Sequence, residues 1–289
     1  MSEKNKLQKI MQNPVIKIFL AFFWIIAIVS LEQIIFRMIP NRHNEILVLL
    51  FALLIAITAY YAYYLFVRVI EKREMFEFST SGALRELLFG TSVGAALMSV
   101  VIGILWLFGS YRIDGINDWK VIIPFLALGI ISGVFEEILF RGVLFRIVEE
   151  SLGTWLALLI SAFFFGFAHL FNPNANLFSA VAIALEAGIL LSAAYMVTHR
   201  LWLAIGIHFA WNFVQGGIFG VAVSGGASVG LLRGSVSGPI YLSGGAFGAE
   251  ASVVTVIICS ATGAYLIYHA YKKNLFVKPF WKRVQTEQA

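Results

Sequence analysis

Long apolar runs dominate the pattern of this chain. Ile46 to Ile57 is continuously apolar, and Leu156 to Phe165 is interrupted only by Ser161. A bilayer core about 30 Å thick is crossed by about 20 helical residues, and runs of about that length recur along nearly the whole sequence. Because these runs do not alternate between apolar and polar positions, they favour helices over strands. Polar, Gly and Pro positions bound eight predicted transmembrane helices: 14–39, 44–70, 86–109, 119–146, 153–171, 176–198, 200–220 and 250–272.

The predicted helices divide the chain into three parts. Residues 1–115 hold the first three helices behind a short basic start, 116–272 hold the last five, and 273–289 form a basic cytoplasmic tail. Gly220 to Gly248 is rich in Gly and Ser and is predicted to be a long loop or a re-entrant segment. Glu71 to Glu86 carries most of the remaining charge and is predicted to be a solvated connector. The expected fold class is an all-α membrane protein, a polytopic bundle of about eight transmembrane helices.

Composition agrees with this class. Hydrophobic residues make up 60% of the 289 positions and charged residues only 13%, whereas charged residues approach about a quarter of soluble proteins. The single cysteine, Cys259, excludes a disulfide framework or a thiolate metal cluster, and we expect it to pack as a small hydrophobe. The net charge of +5 needs no acidic partner, because membrane proteins carry Lys and Arg on cytoplasmic loops. Nucleic acid is therefore not an expected partner.

The distribution of basic residues predicts the orientation in the membrane. With eight helices and the N-terminus inside, 16 of the 21 Lys and Arg residues face the cytoplasm, among them Lys4, Lys6 and Lys9. This asymmetry favours a multi-pass protein of the cell membrane with both termini in the cytoplasm. The first apolar run, Pro14 to Ile39, is longer than a signal peptide core of about 7 to 15 residues and precedes no small-residue cleavage pattern. We therefore expect it to be retained as an anchoring helix.

Ionisable residues inside the predicted helices are the strongest indication of function. A charge at the bilayer centre costs at least about 2.5 to 3.5 kcal/mol, so each such group must be paired, neutral or in contact with water. By default, an intramembrane ionisable residue is a hypothesis for a functional site. Polar groups of this kind are Glu136, Glu137, Arg141, His169, Glu186, His208 and Asn212.

The two adjacent glutamates are expected to lie in different surroundings. Glu137 and Arg141 are four residues apart, so on a helix they lie one above the other and can form a charge-assisted pair. Glu136 points about 100° away, where burial beside a cavity would raise the pKa of its carboxyl. This separation favours Glu136 as a general base.

The histidines and the asparagine offer complementary chemistry. His208 and Asn212 are also four residues apart and project from one helical face. Together they offer donors of the kind that stabilise the oxyanion formed when water attacks a carbonyl. His169 could orient the water, share its proton or hold a metal.

Each of these residues could instead have a purely structural role. An intramembrane ion pair between Glu137 and Arg141 can be purely structural, and a lone His or Asn in a membrane helix commonly bonds to another helix. Six groups on three helices are harder to explain in this way. Glu186 has no visible partner within one turn, so both its pairing across helices and its membership of the site stay open.

At these residues the sequence resembles the CPBP family of intramembrane proteases, which includes the type II CAAX prenyl endopeptidases and bacterial proteins linked to bacteriocin self-immunity. The first family motif, two glutamates and an arginine four residues after the second, stands here in FEEILFR. The second, Phe followed by His, is Phe165 and His169, and the third is His208 and Asn212. RLWLAIGIHFAWNFVQGGIFG and GPIYLSGGAFGAEAS resemble a bacterial subgroup, so the resemblance covers about residues 120–265 and makes 116–272 the protease-like core.

The resemblance implies a hydrolase, an eight-helix intramembrane endopeptidase in which Glu136 and His169 activate water while His208 and Asn212 stabilise the oxyanion. Family members are often labelled metalloproteases, but no HExxH motif is present, and two His and a Glu on three helices would suit either chemistry. We expect glutamate catalysis without a required cofactor. The alternative is a metallo-endopeptidase that binds a divalent metal such as zinc through Glu136, His169 and His208.

Two classes of function remain. The first is a peptidase acting on a membrane-associated peptide or a lipidated, in some members prenylated, protein. The second is a non-enzymatic membrane protein, either a bacteriocin-immunity scaffold or a transporter that uses the same residues for protons or ions. The complete set of motifs favours the peptidase, because a transporter would be expected to show repeats or ion-liganding broken helices.

Overall fold

The computed structural model describes residues 12–40, 44–226 and 229–283. Lys4, Lys6 and Lys9, on which part of the predicted orientation rests, lie outside these residues, as do positions 284–289 of the predicted tail. Within the described residues the protein is a bundle of long helices with one small two-stranded sheet. The predicted all-α membrane fold is therefore confirmed, with that sheet as an addition.

Eight long helices follow one another in the described part of the chain, and the longest connection separates Ile218 from Val253. Seven of them, among the described residues, are long and apolar enough to cross a membrane; α7, the predicted seventh, is the shorter one. The elements are α1 Pro14–Arg37, α2 Glu45–Glu71, α3 Ala83–Leu107, β1 Tyr111–Ile116, α4 Trp119–Leu152, α5 Thr154–Phe171, α6 Leu177–Thr198, α7 Trp202–Asn212 extended by Phe213–Ile218, β2 Leu232–Val236, α8 Ile240–Ser243, α9 Val253–Lys272 and α10 Phe280–Arg283.

The helix ends have local causes. The Asn13 and Asn44 side chains accept hydrogen bonds from the first backbone N–H groups of α1 and α2, which satisfies donors that a helix start leaves unpaired. Pro14 occupies the first position of α1, where its missing N–H costs nothing. After the last residue of α4, Gly153 adopts a positive φ of 81°, a conformation that ends a helix and that favours glycine.

Helix α4 differs most from its predicted bounds. It was predicted to end at 146, but it continues to Leu152 and reaches 34 residues. Arg146 is buried there instead of marking a solvated end, because its guanidinium pairs with Glu71 at 2.7 Å. Much of α4, including Ser132–Glu136 and Ile138–Phe145, is wound as π-helix, a form that is often found at functional sites.

The predicted solvated connector Glu71 to Glu86 is wrong in its first half. Glu77 is buried, with 3% of its surface exposed, and so is Phe78. Arg73 pairs with Glu77 at 2.8 Å, and Arg146 approaches Glu77 at 3.3 Å. Charge on this segment therefore anchors it to α4 instead of holding it in solvent.

The Gly-rich stretch after α7 folds back over the end of the bundle. Its strand β2 pairs antiparallel with β1, with Tyr111 opposite Val236, and the Tyr111 hydroxyl donates to the Phe219 carbonyl at 2.8 Å. Val221 and Val223 are buried. The predicted loop is thus an ordered covering segment in its described residues.

Small residues bring α3 and α7 into close contact. Gly90 and Gly94 stand four apart on α3, and a Cβ at either position would lie 2.4 Å from the Leu203 carbonyl oxygen or 2.3 Å from that of Ile207. Glycines at this spacing allow membrane helices to approach closely. This contact fixes α7, the helix that carries His208 and Asn212, against the bundle.

Candidate active site

Glu137 is the centre of a buried polar cluster. Its side chain is fully buried, and its Oε1 accepts from Arg141 Nη1 at 2.9 Å and lies 2.9 Å from His208 Nδ1. The predicted ion pair between Glu137 and Arg141 is therefore present, and it extends to a histidine 71 positions away in sequence. One carboxylate oxygen joins α4 to α7.

Arg141 ties two further helices to this cluster. Its Nη2 donates to the carbonyls of Ala187 and Gly188 on α6, both at 3.1 Å. Its guanidinium carbon lies 4.4 Å from the centroid of the Phe165 ring on α5, a cation–π contact. The fully buried cation thus satisfies the unpaired carbonyls of α6 while it balances the charge of Glu137.

Glu136 has different surroundings from its neighbour. Its side chain is 27% exposed, and its Oε2 lies 4.0 Å from His208 Nε2. This distance exceeds a hydrogen bond, and Glu136 Oε2 has no hydrogen-bond partner among the described residues. The ion pair with Arg141 thus distinguishes Glu137 from Glu136, and the expected role of Glu136 as a general base stays a prediction.

The other predicted site residues have defined orientations. His169 ends the regular part of α5, and its Nδ1 lies 2.7 Å from the Phe165 carbonyl oxygen. A carbonyl only accepts, so Nδ1 donates, and in the neutral ring the lone pair lies on Nε2. Asn212 Nδ2 donates to Ser132 Oγ on α4 at 2.7 Å, which leaves its second N–H proton for another acceptor.

A small cavity of about 20 Å³, enough for one or two groups the size of a water molecule, lies between α5, α6, α7 and the covering segment. His169, His208 and Asn212 line it together with Phe165. Glu136, Glu137 and Arg141 are not among its lining residues. The cluster of α4 therefore reaches this cavity through His208, and Glu136 approaches His208 from outside the cavity wall.

Two carboxyl groups also line the cavity. Glu186, left open by the sequence, is one of them, with 2% of its surface exposed. The other, Glu250, was missed because it follows the Gly-rich stretch; a lone acid within GGAFGAEAS was the available signal. Glu250 Oε2 accepts from the Ser224 backbone N–H at 2.7 Å and from its hydroxyl at 3.0 Å. Burial raises the pKa of Glu250 to about 7, although the Ser224 hydrogen bonds oppose the rise.

A metal centre was the alternative, with Glu136, His169 and His208 as its ligands. No three His, Cys, Asp or Glu side chains in the described part of the chain are grouped closely enough to hold an ion. The Nδ1 atoms of His208 and His169 contact Glu137 and the Phe165 carbonyl, and such contacts leave Nε2 of each ring available. Catalysis without a metal therefore stays a prediction.

Comparison with known proteins identifies the region that carries these residues. The model of the family described as type II CAAX prenyl endopeptidase Rce1-like matches residues 118–214. This segment is similar to the Rce1-like family. It covers about a third of the chain, from α4 into α7, and includes all six predicted site residues. No curated protein and no solved structure matches the chain.

The match of residues 118–214 indicates the functional class of the site. At family level, this match supports the class of intramembrane endopeptidases, which hydrolyse peptide bonds. With seven helices that are long and apolar enough to cross a bilayer, the chain is a multi-pass membrane protein. Helices α1 to α3 and α9 lie outside the matched region, although α3 supports α7 directly.

Proposed function

We propose that this protein hydrolyses a peptide bond in a membrane-associated peptide or prenylated protein, with a glutamate instead of a metal activating the water. The observation that carries the proposal is the shared position of Glu137 Oε1, 2.9 Å from both Arg141 and His208. It joins the first and third family motifs into one cluster. A purely structural ion pair would have no need of the histidine.

In the proposed reaction, Glu136 and His169 activate the water. The Glu136 side chain is 27% exposed, so water can reach the carboxylate and give it a proton. His169 has Nε2 available as a second acceptor, since Nδ1 is held by the Phe165 carbonyl. The resulting hydroxide attacks the carbonyl carbon, and the abstracted proton passes to the leaving amine as the C–N bond breaks.

His208 and Asn212 would stabilise the oxyanion of this attack. His208 donates one N–H to Glu137 through Nδ1, and a doubly protonated ring has a second N–H at Nε2 for the oxyanion. Asn212 supplies the N–H that Ser132 does not use. Glu137 and Arg141 then act as positioning residues, because the negative charge next to His208 favours its cationic form.

Membrane orientation completes the proposal. The basic-residue asymmetry supports cytoplasmic N- and C-termini in the cell membrane. The peptide substrate would reach the cavity from the bilayer or its surface, with the lipid bilayer in contact with the apolar outer faces of the helices, where Phe19 and Phe23 of α1 are more than 70% exposed. Nucleic acid is not a proposed partner.

The test compares purified wild type, Glu136→Gln and His169→Gln on quenched peptides with and without a farnesyl group, in lipid nanodiscs. We expect each variant to lose about 10²- to 10⁴-fold in kcat, the contribution of a general acid or base. Glu32→Gln is the matched control, since Glu32 is also an intramembrane glutamate but accepts from Thr58, away from the site. It should retain activity.

Two results would contradict the proposal. Wild type that cleaves no peptide left intact by Glu136→Gln would remove the peptidase assignment and favour the transport or scaffold class. Activity lost on strong chelation and restored by Zn²⁺ would show that the reaction depends on a metal. We expect chelation to leave activity unchanged.

A further inference from the structure

The cavity has a strongly acidic lining for a membrane interior. Its ionisable lining residues are Glu186, Glu250, His169 and His208, and no Lys or Arg lines it in the described part of the chain. Arg141 is already bonded to Glu137 and to the carbonyls of α6, and the Nδ1 of His208 is bonded to Glu137. Glu186 and Glu250 have no part in the proposed activation of water.

Glu186 has an oxygen in need of a donor. The residue lies in Ala184–Gly188, a π-helical stretch of α6, with 2% of its surface exposed. Its Oε1 is buried and has no hydrogen-bond partner among the described residues. A buried polar atom left unpaired costs free energy unless a ligand or water satisfies it.

Glu250 is held in place beside the same cavity. Both Ser224 hydrogen bonds go to Oε2, so the carboxyl is anchored to the covering segment. Glu186 lines the same cavity. Two buried carboxyl groups beside one cavity favour the binding of a positive charge between them.

The remaining lining fits an organic cation. Trp211 lines the cavity, and aromatic rings attract cations, Trp most strongly. Leu190 and Leu191 supply apolar surface, which suits the aliphatic stem of a basic side chain. No grouping of three metal-ligating side chains occurs in the described residues.

We propose that Glu186 and Glu250 form a subsite that binds the ammonium group of a Lys residue next to the scissile bond of the substrate. This inference rests on the proposed peptidase function and assigns it a substrate class. The subsite lies in the same cavity as His208 and Asn212, so a basic side chain bound there holds the adjacent peptide bond near the proposed oxyanion donors. The two acids select and position the substrate without entering the reaction.

The first test measures preference. Matched quenched peptides differ only in Lys or norleucine at each position around the cleavage site, and kcat/KM is measured for wild type, Glu186→Gln, Glu250→Gln and the Glu32→Gln control. Wild type should favour the Lys peptide about 10- to 100-fold, the range for hydrogen bonds to charged groups. Both cavity variants should lower that ratio toward one, mainly through KM, and the control should keep it. A wild type without preference, or variants that keep it, would overturn the subsite.

The second test needs no cleavage. Thermal unfolding is measured with N-acetyl-lysine methylamide, its norleucine analogue, KCl or MgCl₂ at equal concentration. The lysine compound should raise the Tm of wild type, and less so that of Glu186→Gln and Glu250→Gln, because a ligand stabilises the state that binds it. An equal shift with the norleucine compound, an equal shift with K⁺ or Mg²⁺, or none at all would overturn the assignment to a basic side chain. If the lysine-specific shift is found and no peptide is cleaved, the subsite stands and the peptidase function fails.

Discussion

Glu137 and Glu186 are both buried glutamates of the same bundle, yet their surroundings are opposite. Glu137 has a cation and a histidine within 2.9 Å of Oε1, so its charge is balanced although its Oε2 has no hydrogen bond. Glu186 forms no ion pair among the described residues, and its free oxygen lies beside the cavity that it lines. Burial alone therefore does not define the role of an intramembrane carboxyl. Compensation makes Glu137 suitable for positioning other groups, and its lack makes Glu186 suitable for binding a ligand.

Removal of Arg141 should have the largest effect, because it makes Glu137 as uncompensated as Glu186. Arg141→Met leaves Glu137 buried without a cation, and the loss of one partner of a buried pair costs about 3–5 kcal/mol of unfolding free energy. The measurement is denaturant or thermal unfolding in detergent, with cleavage measured in parallel. Activity should fall with stability, because the Glu137 carboxylate that holds the His208 ring loses the cation that fixes its own position.

The double variant Glu137→Gln with Arg141→Met separates the two effects. Removing both charges takes away the uncompensated carboxylate, so stability should recover in part relative to Arg141→Met alone. Activity should not recover, because a neutral carboxamide in place of the Glu137 carboxylate cannot favour a cationic His208. Equal stability of Arg141→Met and wild type would show that Glu137 needs no compensation and would remove the contrast with Glu186.

Asn212 tests whether the compensated cluster serves an oxyanion. Asn212→Ala should lower kcat about 10²- to 10³-fold with little change in KM, the cost of one oxyanion donor. Ser132→Ala is the matched control, since it removes only the hydroxyl that accepts from Asn212 Nδ2. We expect Ser132→Ala to lose no more than about ten-fold in kcat, as for one net hydrogen bond. Equal losses in both variants would indicate that Asn212 has a structural role.

The sequence predicted the helices and the compensated cluster because both depend on local spacing. Apart from the end of α4, each predicted helix end lies at most three residues from its observed position. The pair of Glu137 and Arg141 follows from a separation of four residues on one helix. The contact of His208 with Glu137 spans 71 positions. The sequence predicted that both residues belong to one site, but it did not predict that they are in contact.

The uncompensated side of the cavity could not be predicted in the same way. Glu250 meets Ser224 through a fold of the Gly-rich segment, and no periodicity indicates where such a segment returns. The pairing of β1 with β2 joins residues more than 110 positions apart, and the burial of Glu77 depends on Arg146, which lies two helices further along the chain. Each of these three contacts joins short or charged segments that the local sequence pattern predicts to be loops.

Glu250 provides the smallest effect and the sharpest test of the uncompensated side. Because its folded pKa of about 7 exceeds the usual value near 4.3, the folded state holds an extra proton between these values. The unfolding free energy should therefore fall as pH rises from about 4.5 to about 7, by about 3 kcal/mol from this group, and then level off. Glu250→Gln has no such proton, so the difference in Tm between variant and wild type should grow from about pH 5 to about pH 8. Parallel Tm curves would mean that the two Ser224 hydrogen bonds balance the charge of Glu250. Glu250 would then resemble Glu137. Glu186 would be the one uncompensated carboxyl among the described residues that line the cavity.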